Sequence, residues 1–198
     1  MGTRSNIIVK VRKEDIGKKV SFDRSKLPLP LIRENWPKDR STEYIPAPDD
    51  EPMAKDVLLH DDYVGIYCQF DGYITGGNGD ILMEFFNDYD KALNLALCGV
   101  VEGIDERRGV ILTDRRKNWF QELDGEGNDG ITPYQSSRPE LPYPANDYSF
   151  KYLFKDDRWY VYHWNLKEEF GTEFVPLDEV REGLCTGDEK YVKAVGGY

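Results

Sequence analysis

Four polar or aromatic side chains alternate along one stretch of the sequence, at Tyr67, Gln69, Asp71 and Tyr73. Alternation at every second residue places side chains on one face of a strand, so we expect the four to share a face before the chain turns. Such a face combines hydrogen-bonding groups with aromatic rings and is suited to holding a small ligand. An ordinary outward sheet face shows the same alternation, and that interpretation stays open.

A glycine-containing run follows this stretch, since residues 76–79 read Gly-Gly-Asn-Gly before a predicted helix. Free backbone N–H groups at a helix start can receive an anion. The run lacks the Lys and Ser/Thr of a phosphate-binding P-loop, and Asp80 competes with a phosphate for those donors. The spacing of Asp71, Thr75, Asn78 and Asp80 also departs from that of a calcium-binding EF-hand loop. We predict no catalytic residue, no metal site and no cofactor.

Positive charge stands out at Arg4 and at the run Arg115, Arg116 and Lys117 in this otherwise acidic sequence. Arginine pairs with phosphate through its planar fork, and an aromatic ring such as Trp119 stacks on a base. A phosphorylated nucleotide is therefore a candidate ligand, whereas ion pairing with surface acids is the alternative. The predicted ligand-binding residues are Arg4, Tyr67, Gln69, Asp71, Tyr73, Arg115 and Arg116.

Aromatic residues are concentrated in residues 148–164, where two strand-like arms flank a charged turn and predict a β-hairpin. Most of these rings are expected to pack in the core, but alternate members of each arm must face outward. Exposed Tyr and Trp are favoured at protein interfaces, so this face predicts a protein partner or self-association. The predicted interface residues are Tyr152, Trp159, Tyr162 and Trp164.

The elements that must position these residues indicate an α+β fold over a single domain, residues 1–198. Strands and helices do not alternate at the spacing of a doubly wound sheet, so we expect an antiparallel sheet with helices packed on one face. Hydrophobic patterns and capping signals define the elements. Besides the hairpin, they predict strands at 5–12, 57–60, 63–70 and 108–113, and helices at 81–86, 88–98 and 176–182.

Two segments are expected to hold little regular structure. Six of the eleven prolines lie between Pro28 and Pro52, which indicates a proline-rich insertion over residues 13–57 with a short strand at 18–22. Residues 124–146 contain four more prolines and several glycines and predict a long loop. The last dozen residues are expected to fray.

Composition excludes several classes of function. The formal net charge of −11 argues against general nucleic-acid binding, because a protein that neutralises phosphates needs a basic surface. No apolar run is long enough to cross a membrane. Three widely spaced cysteines and two histidines argue against a disulfide framework, a zinc site and a Cys/His catalytic pair. Cysteine usage fits a reducing compartment, and we expect the cytoplasm.

Several of these features together resemble a family of accessory proteins carried by bacteriophages and prophages. The chain begins Met-Gly-Thr-Arg-Ser, residues 67–73 read Tyr-Cys-Gln-Phe-Asp-Gly-Tyr, and an Asp-Arg-Arg run and the aromatic hairpin follow. The family pattern has His where this chain has Gln69, which puts any role for an imidazole there in doubt. The resemblance covers residues 1–5, 63–99, 108–119 and 147–164.

The resemblance implies an accessory protein that acts in the cytoplasm of a host cell, and accessory proteins of this kind often act against host defence. The expected function is binding of a host factor, as an inhibitor of a defence system and without enzymatic activity. The alternative is a binder that sequesters a phosphorylated signal nucleotide. A hydrolase of that nucleotide ranks last, because it would need Asp71 or Asp80 as a base or metal ligand.

Overall fold

The computed structural model describes residues 3–35, 43–112, 131–139 and 150–195. Most strands in these ranges carry Val, Ile, Leu, Tyr or Phe, the residue types that favour a pleated and partly buried surface. The strands are β1 Ser5–Lys10, β2 Lys19–Val20, β3 Leu31–Asn35, β4 Glu43–Pro46, β5 Val57–Leu58, β6 Tyr63–Cys68, β7 Val101–Asp105, β8 Gly109–Leu112, β9 Tyr134–Ser136, β10 Phe150–Lys155, β11 Arg158–Tyr162 and β12 Val175–Pro176.

Local signals define where the helices begin and end. The Asp88 carboxylate accepts the Lys91 backbone N–H at 2.9 Å and caps a helix start, and Gly171 and Gly187 end two helices in the left-handed conformation. None of the described helices is long and apolar enough to cross a lipid bilayer. The helices are α1 Asn78–Phe85, α2 Tyr89–Ala96, α3 Trp164–Phe170, α4 Leu177–Thr186 and α5 Glu189–Val195.

Ten of the described strands form one sheet, in the order β12-β11-β10-β1-β6-β7-β8-β3-β4, with β9 paired to β6. Strands β2 and β5 form a separate antiparallel pair. The α+β class is confirmed, but the sheet is mixed, because β1 with β10, β6 with β7 and β3 with β8 run parallel. Residue alternation is the same in both kinds of pairing, so the sequence pattern does not reveal the direction in which distant strands meet.

The helices cover one face of the main sheet, as predicted. Ile7 and Val9 of β1 face this side and are fully buried, together with apolar residues from all five described helices. Two buried hydrogen bonds connect the hairpin to this layer. The Tyr152 hydroxyl donates to the Gly72 carbonyl at 2.7 Å, and Trp159 Nε1 donates to the Phe86 carbonyl at 2.9 Å.

The opposite face of the sheet carries a second, smaller apolar cluster. Ile8, Tyr67, Val100 and Leu153 are its buried members. Ile8 lies between Ile7 and Val9 in β1, so the alternation of a strand places it on the side away from the helices. The partly buried rings that pack around this cluster are Tyr63, Tyr134, Tyr160 and Phe174.

The prediction of a largely irregular insertion over 13–57 is wrong in its second half. Strand β3 pairs with β8, and β4 forms the edge of the main sheet beside it. Leu29, Leu31 and Ala47 are buried in the core although prolines surround them. Proline is tolerated before a strand and on an edge strand, which explains how Pro30 and Pro46 fit here. The predicted strand at 18–22 is present as β2.

Four further elements differ from the sequence-based expectation. Of the last dozen residues, those up to Val195 are described and do not fray, since α5 extends to Val195 and Ala194 is buried. Helix α3 and strand β7 were not predicted. Both elements are short, and their polar and apolar residues follow neither a clear helical period nor a clear strand period. The predicted long loop contains β9, while residues 124–130 and 140–146 of that prediction lie outside the described residues.

We expect Tyr152→Phe to lower the free energy of unfolding by about 1–3 kcal/mol, because it leaves a buried carbonyl without its donor. Tyr152 is fully buried and donates to Gly72. Urea unfolding followed by circular dichroism measures the change. Tyr160→Phe is the control, since Tyr160 is half-buried on the other face of the sheet and should change stability by less than about 0.5 kcal/mol. Equal losses of stability in the two variants would contradict a stabilising role for the hydrogen bond from Tyr152 to Gly72.

We expect one of the three cysteines to react with a thiol reagent in the folded protein. Cys68 and Cys98 are buried, Cys185 is exposed, and burial raises the pKa of the Cys68 thiol to about 12. A buried neutral thiol is unreactive because the thiolate is the nucleophile. Labelling with a chromogenic disulfide near pH 8 should modify one thiol before denaturation and three after it. Cys185→Ser should remove the native reaction, and persistent labelling of that variant would contradict the burial of the other two.

Candidate functional site

The four alternating residues of the predicted ligand face do not share a face. Strand β6 ends at Cys68, and the backbone of Asp71 adopts a left-handed conformation with φ of 58°. This conformation turns the chain, and the Gly72 N–H then donates to the Thr3 carbonyl at 2.8 Å. The prediction failed because alternation holds only while the strand continues, and the sequence did not show that it stops after Cys68.

Each of these side chains has a different environment. Tyr67 packs with Ile8 on the side of the sheet away from the helices. Gln69 is half-buried just after β6, and its N–H donates to the Val101 carbonyl at 3.2 Å. Asp71 lines a cavity at the start of α1, whereas Tyr73 lines a groove beside α4 and α5. A single ligand site built from all four is therefore excluded.

The cavity at the start of α1 is acidic. It has a volume of about 320 Å³, and Asp71, Asp80, Asp105 and Glu106 line it with Arg107 as the opposing charge. Such a lining repels a phosphate. Within the described ranges, no group of three or more His, Cys, Asp and Glu side chains is arranged to hold a metal ion.

The chain itself fills the predicted anion position at this helix. The Asp80 carboxylate accepts the Gly76 N–H at 2.7 Å and also accepts a hydrogen bond from the Arg181 guanidinium. The glycines of the run have a packing role, because a Cβ on Gly77 or Gly79 would overlap backbone carbonyl oxygens of the preceding turn. The expectation that residues 76–79 receive an anion is therefore not supported.

A buried polar contact fixes the first residue of α1 to the sheet. Asn78 Nδ2 lies 3.0 Å from Ser5 Oγ, 3.2 Å from Cys68 Sγ and 3.3 Å from the Phe70 carbonyl oxygen. The amide therefore joins the start of β1, the end of β6 and the start of α1. This contact gives the turn between β6 and α1 a structural role.

Two of the predicted ligand residues do come together. Burial raises the pKa of Tyr67 to about 12, and the nearby positive charge of Arg4 opposes that shift. Arg4 precedes β1, and Tyr67 pairs with Asn6 in the neighbouring strand, which explains their proximity. Arg115 and Arg116 lie outside the described residues, so their part in this site stays a prediction.

We call the side of the sheet that carries Tyr67 the outer face. Its centre, formed by Asn6, Ile8, Tyr67 and Leu153, is buried, and its more accessible side chains are Lys10, Lys151, Lys155, Tyr160 and Tyr162. Strand pairing of β6, β1, β10 and β11 sets its side chains in rows across the strands, and residues at directly paired positions lie side by side. The first row is Tyr67, Asn6, Lys151 and Tyr162, and the second is Ile8, Leu153 and Tyr160. The third consists of two pairs, Tyr63 with Lys10 and Lys155 with Arg158.

The outer face is basic, although the whole chain has 37 acidic and 26 basic residues. Its three rows contain four cations and no acid. Lys151 Nζ lies 4.7 Å from the centre of the Tyr162 ring, and Lys155 Nζ lies 4.5 Å from that of Tyr160. Arg158 is held by Asp178 and Glu179 of α4. Cation–π contact keeps the two lysines against the rings and leaves their charge at the surface.

Two of the four predicted interface residues are buried. Tyr152 and Trp159 are 0% and 3% exposed and face the helices, so their assignment to an exposed interface is wrong. The hairpin does alternate, but the predicted residues are divided between its two faces. Tyr162 is half-buried on the outer face, and Trp164 is 45% exposed at the start of α3.

Sequence reasoning missed the lysines of the outer face. Lys151 and Lys155 alternate with the inward-facing aromatic residues of β10, and Lys10 is the last residue of β1. The signal was present as a lysine at every fourth residue beside the aromatic positions of the hairpin. This spacing shows which face the lysines occupy only when it is known which residues of the strand point toward the core.

Comparison with known proteins adds no family to this description. No model of a known protein family matches the chain, and no curated protein and no solved structure matches it either. The resemblance to bacteriophage accessory proteins therefore rests on the sequence features named above and stays a prediction. The function is therefore inferred from the surfaces of the molecule.

Proposed function

We propose that this protein is a non-enzymatic binding protein whose outer face engages a partner protein with an acidic surface. The observation that carries the proposal is a tyrosine-rich, basic sheet face in a strongly acidic chain. Tyrosine and arginine are enriched at protein interfaces, and complementary charge steers partners together. Asp178 and Glu179 compensate the charge of Arg158, so the positive charge of this face comes from Lys10, Lys151 and Lys155, in a chain whose net charge is −11.

The shape of the outer face also favours a protein partner over a small ligand. Small-molecule sites are concave and enclose most of the ligand, whereas paired strands present a broad surface. The tyrosine rings supply large contact areas at low conformational entropy, which suits them as anchors of an interface.

The resemblance to bacteriophage accessory proteins supports a host factor as the partner. On this proposal the protein acts in the cytoplasm of the host cell and inhibits a component of a defence system by covering its acidic surface. A second copy of this chain is a poor partner for the same face, because two basic surfaces repel each other. Pairing of one outer face with another is thus disfavoured.

Sequestration of a phosphorylated signal nucleotide is the second candidate. The proximity of Arg4 to Tyr67 favours it, because a guanidinium beside an aromatic ring suits a phosphate and a base. The distribution of Asp71 and Tyr73 over two other surfaces weighs against it. Hydrolysis has the least support, since Asp80 is engaged by Gly76 and Arg181.

Charge reversal at two lysines tests the main proposal. Lys151 and Lys190 each lie over an aromatic ring, Tyr162 at 4.7 Å and Phe170 at 3.8 Å, but the first is on the outer face and the second on α5. We expect Lys151→Glu to weaken capture of an acidic host protein by about ten-fold or more, because it places like charges in contact. Lys190→Glu should stay within about two-fold of the unchanged protein.

Quantitative mass spectrometry of proteins captured from host lysate measures this effect, followed by titration of the purified partner at two salt concentrations. Affinity should fall as salt rises, since the attraction is screened. Equal capture by the two variants, or loss with Lys190→Glu alone, would contradict the outer face as the binding surface. A thermal shift with a nucleotide but no captured protein would favour the second candidate.

A further inference from the structure

One cation of the outer face is bound by the protein's own acids. Arg158 is the first residue of β11 and pairs with Lys155 of β10, so the two side chains lie on the same face. The guanidinium carbon of Arg158 lies 6.0 Å from the centre of the Tyr160 ring, and Lys155 Nζ lies 4.5 Å from it. Both cations therefore border the same tyrosine, at the end of the face where β10 turns into β11.

Two carboxylates of α4 hold the Arg158 guanidinium. Its Nε and Nη2 donate to the two oxygens of Asp178 at 2.9 and 2.8 Å, and Nη2 also donates to Glu179 at 2.9 Å. These hydrogen bonds raise the pKa of the Arg158 guanidinium and lower the pKa of the Asp178 carboxyl. The pair of bonds to Asp178 is the bidentate fork by which an arginine binds a carboxylate. The acids of α4 thus occupy the position that a partner's carboxylate would take.

The order of the elements brings these acids to the edge of the outer face. Strand β12 pairs with β11, and α4 begins at Leu177, directly after β12. Asp178 and Glu179 lie in the first turn of α4, and their neighbours Leu177 and Val180 are buried in the core. Packing of α4 against the sheet therefore holds the two carboxylates beside the start of β11.

The other cations of the hairpin are not held in this way. Lys151 and Lys155 lie against tyrosine rings, and in the part of the chain that the structure describes neither forms an ion pair. At Arg158, in contrast, one positive charge faces two negative charges, so the group as a whole is negative. An acidic partner therefore gains no attraction from this arginine and is repelled by the carboxylates beside it.

We propose that Asp178 and Glu179 act as a built-in competitor of the partner protein, and that Arg158 is a further partner-binding residue that they hold in reserve. The exposed fractions of the three side chains are 40% for Arg158, 56% for Asp178 and 52% for Glu179, so the contact is open to exchange. Because the α4 acids belong to the same chain, their effective concentration is high, and only a partner with a dense group of carboxylates replaces them. The inference rests on the proposed function of the outer face.

A double-mutant cycle on the full chain tests this role, with a fluorescently labelled hexaglutamate peptide at low ionic strength as the acidic probe. We expect Asp178→Asn together with Glu179→Gln to bind the peptide about five-fold or more tightly than the unchanged protein. In that double variant, Arg158→Gln should weaken binding by about five-fold, whereas in the unchanged protein it should cost less than about two-fold, because the arginine is already occupied.

The matched control removes the same amount of charge elsewhere. Glu168→Gln together with Glu169→Gln neutralises two exposed acids of α3 and should change the affinity by less than about two-fold. Acids in the first turn of a helix also stabilise it, so circular dichroism should first show that the α4 double variant is folded. Asp178→Asn alone is the milder variant, since it removes the bidentate partner and keeps Glu179, and it should give part of the gain.

Two results would show that only net charge matters and would overturn the proposal. One is an equal gain in the α4 double variant and in the α3 control. The other is an equal cost of Arg158→Gln in the presence and in the absence of the α4 acids. The proposal also fails if hexaglutamate binds neither the unchanged protein nor the α4 double variant.

Lys151→Glu distinguishes a failure of this inference from a failure of the proposed function. If Lys151→Glu abolishes peptide binding but the cycle shows no coupling between Arg158 and the α4 acids, the outer face stands as the binding surface and the role of the α4 contact is refuted. If the cycle shows coupling but Lys151→Glu has no effect, the α4 contact stands and the outer face as a whole is contradicted.

Discussion

The burial of β1 on both of its faces is the constraint on which the rest of the structure depends. Ile7 and Val9 pack against the helices, while Ile8 packs into the smaller cluster on the opposite side, and all three are fully buried. Its neighbour β6 pairs with it from Ser5 to Lys10, and β10 pairs with it from Ser5 to Val9. A one-residue slip would exchange the two faces, so this register fixes which side chains reach the outer face.

The molecule separates its charges, and this separation links the fold to binding. Acids are numerous over the chain, yet the outer face carries Lys10, Lys151 and Lys155. The lysines there lie at alternate positions of β10, whose other side chains are the aromatic residues of the core. The same alternation that buries one row of rings therefore exposes one row of charges.

Much of the fold was predictable from local patterns, but the site was predictable only in part. The hairpin and α2 follow from alternation and from the Asp88 cap, which are encoded within a few residues. The mixed sheet and the role of β3 depend on contacts between distant segments, which local patterns do not contain. Arg4 lies near enough to Tyr67 for its charge to act on the tyrosine, but their role as ligand-binding residues stays a prediction. Tyr152 was wrongly assigned to the surface, because alternation shows that neighbouring residues of a strand face opposite sides but not which side is the core.

Hydroxyl-radical footprinting of the protein alone and in its purified complex tests whether the partner protein binds the outer face, because it reports side-chain exposure residue by residue. We predict that Tyr160 and Tyr162 on the outer face are protected from oxidation when the partner binds. Tyr191 on α5, a half-buried tyrosine of the helical layer, should be oxidised equally in both samples. Protection of Tyr191 with unchanged oxidation of Tyr160 and Tyr162 would contradict binding at the outer face and place the partner on the helices.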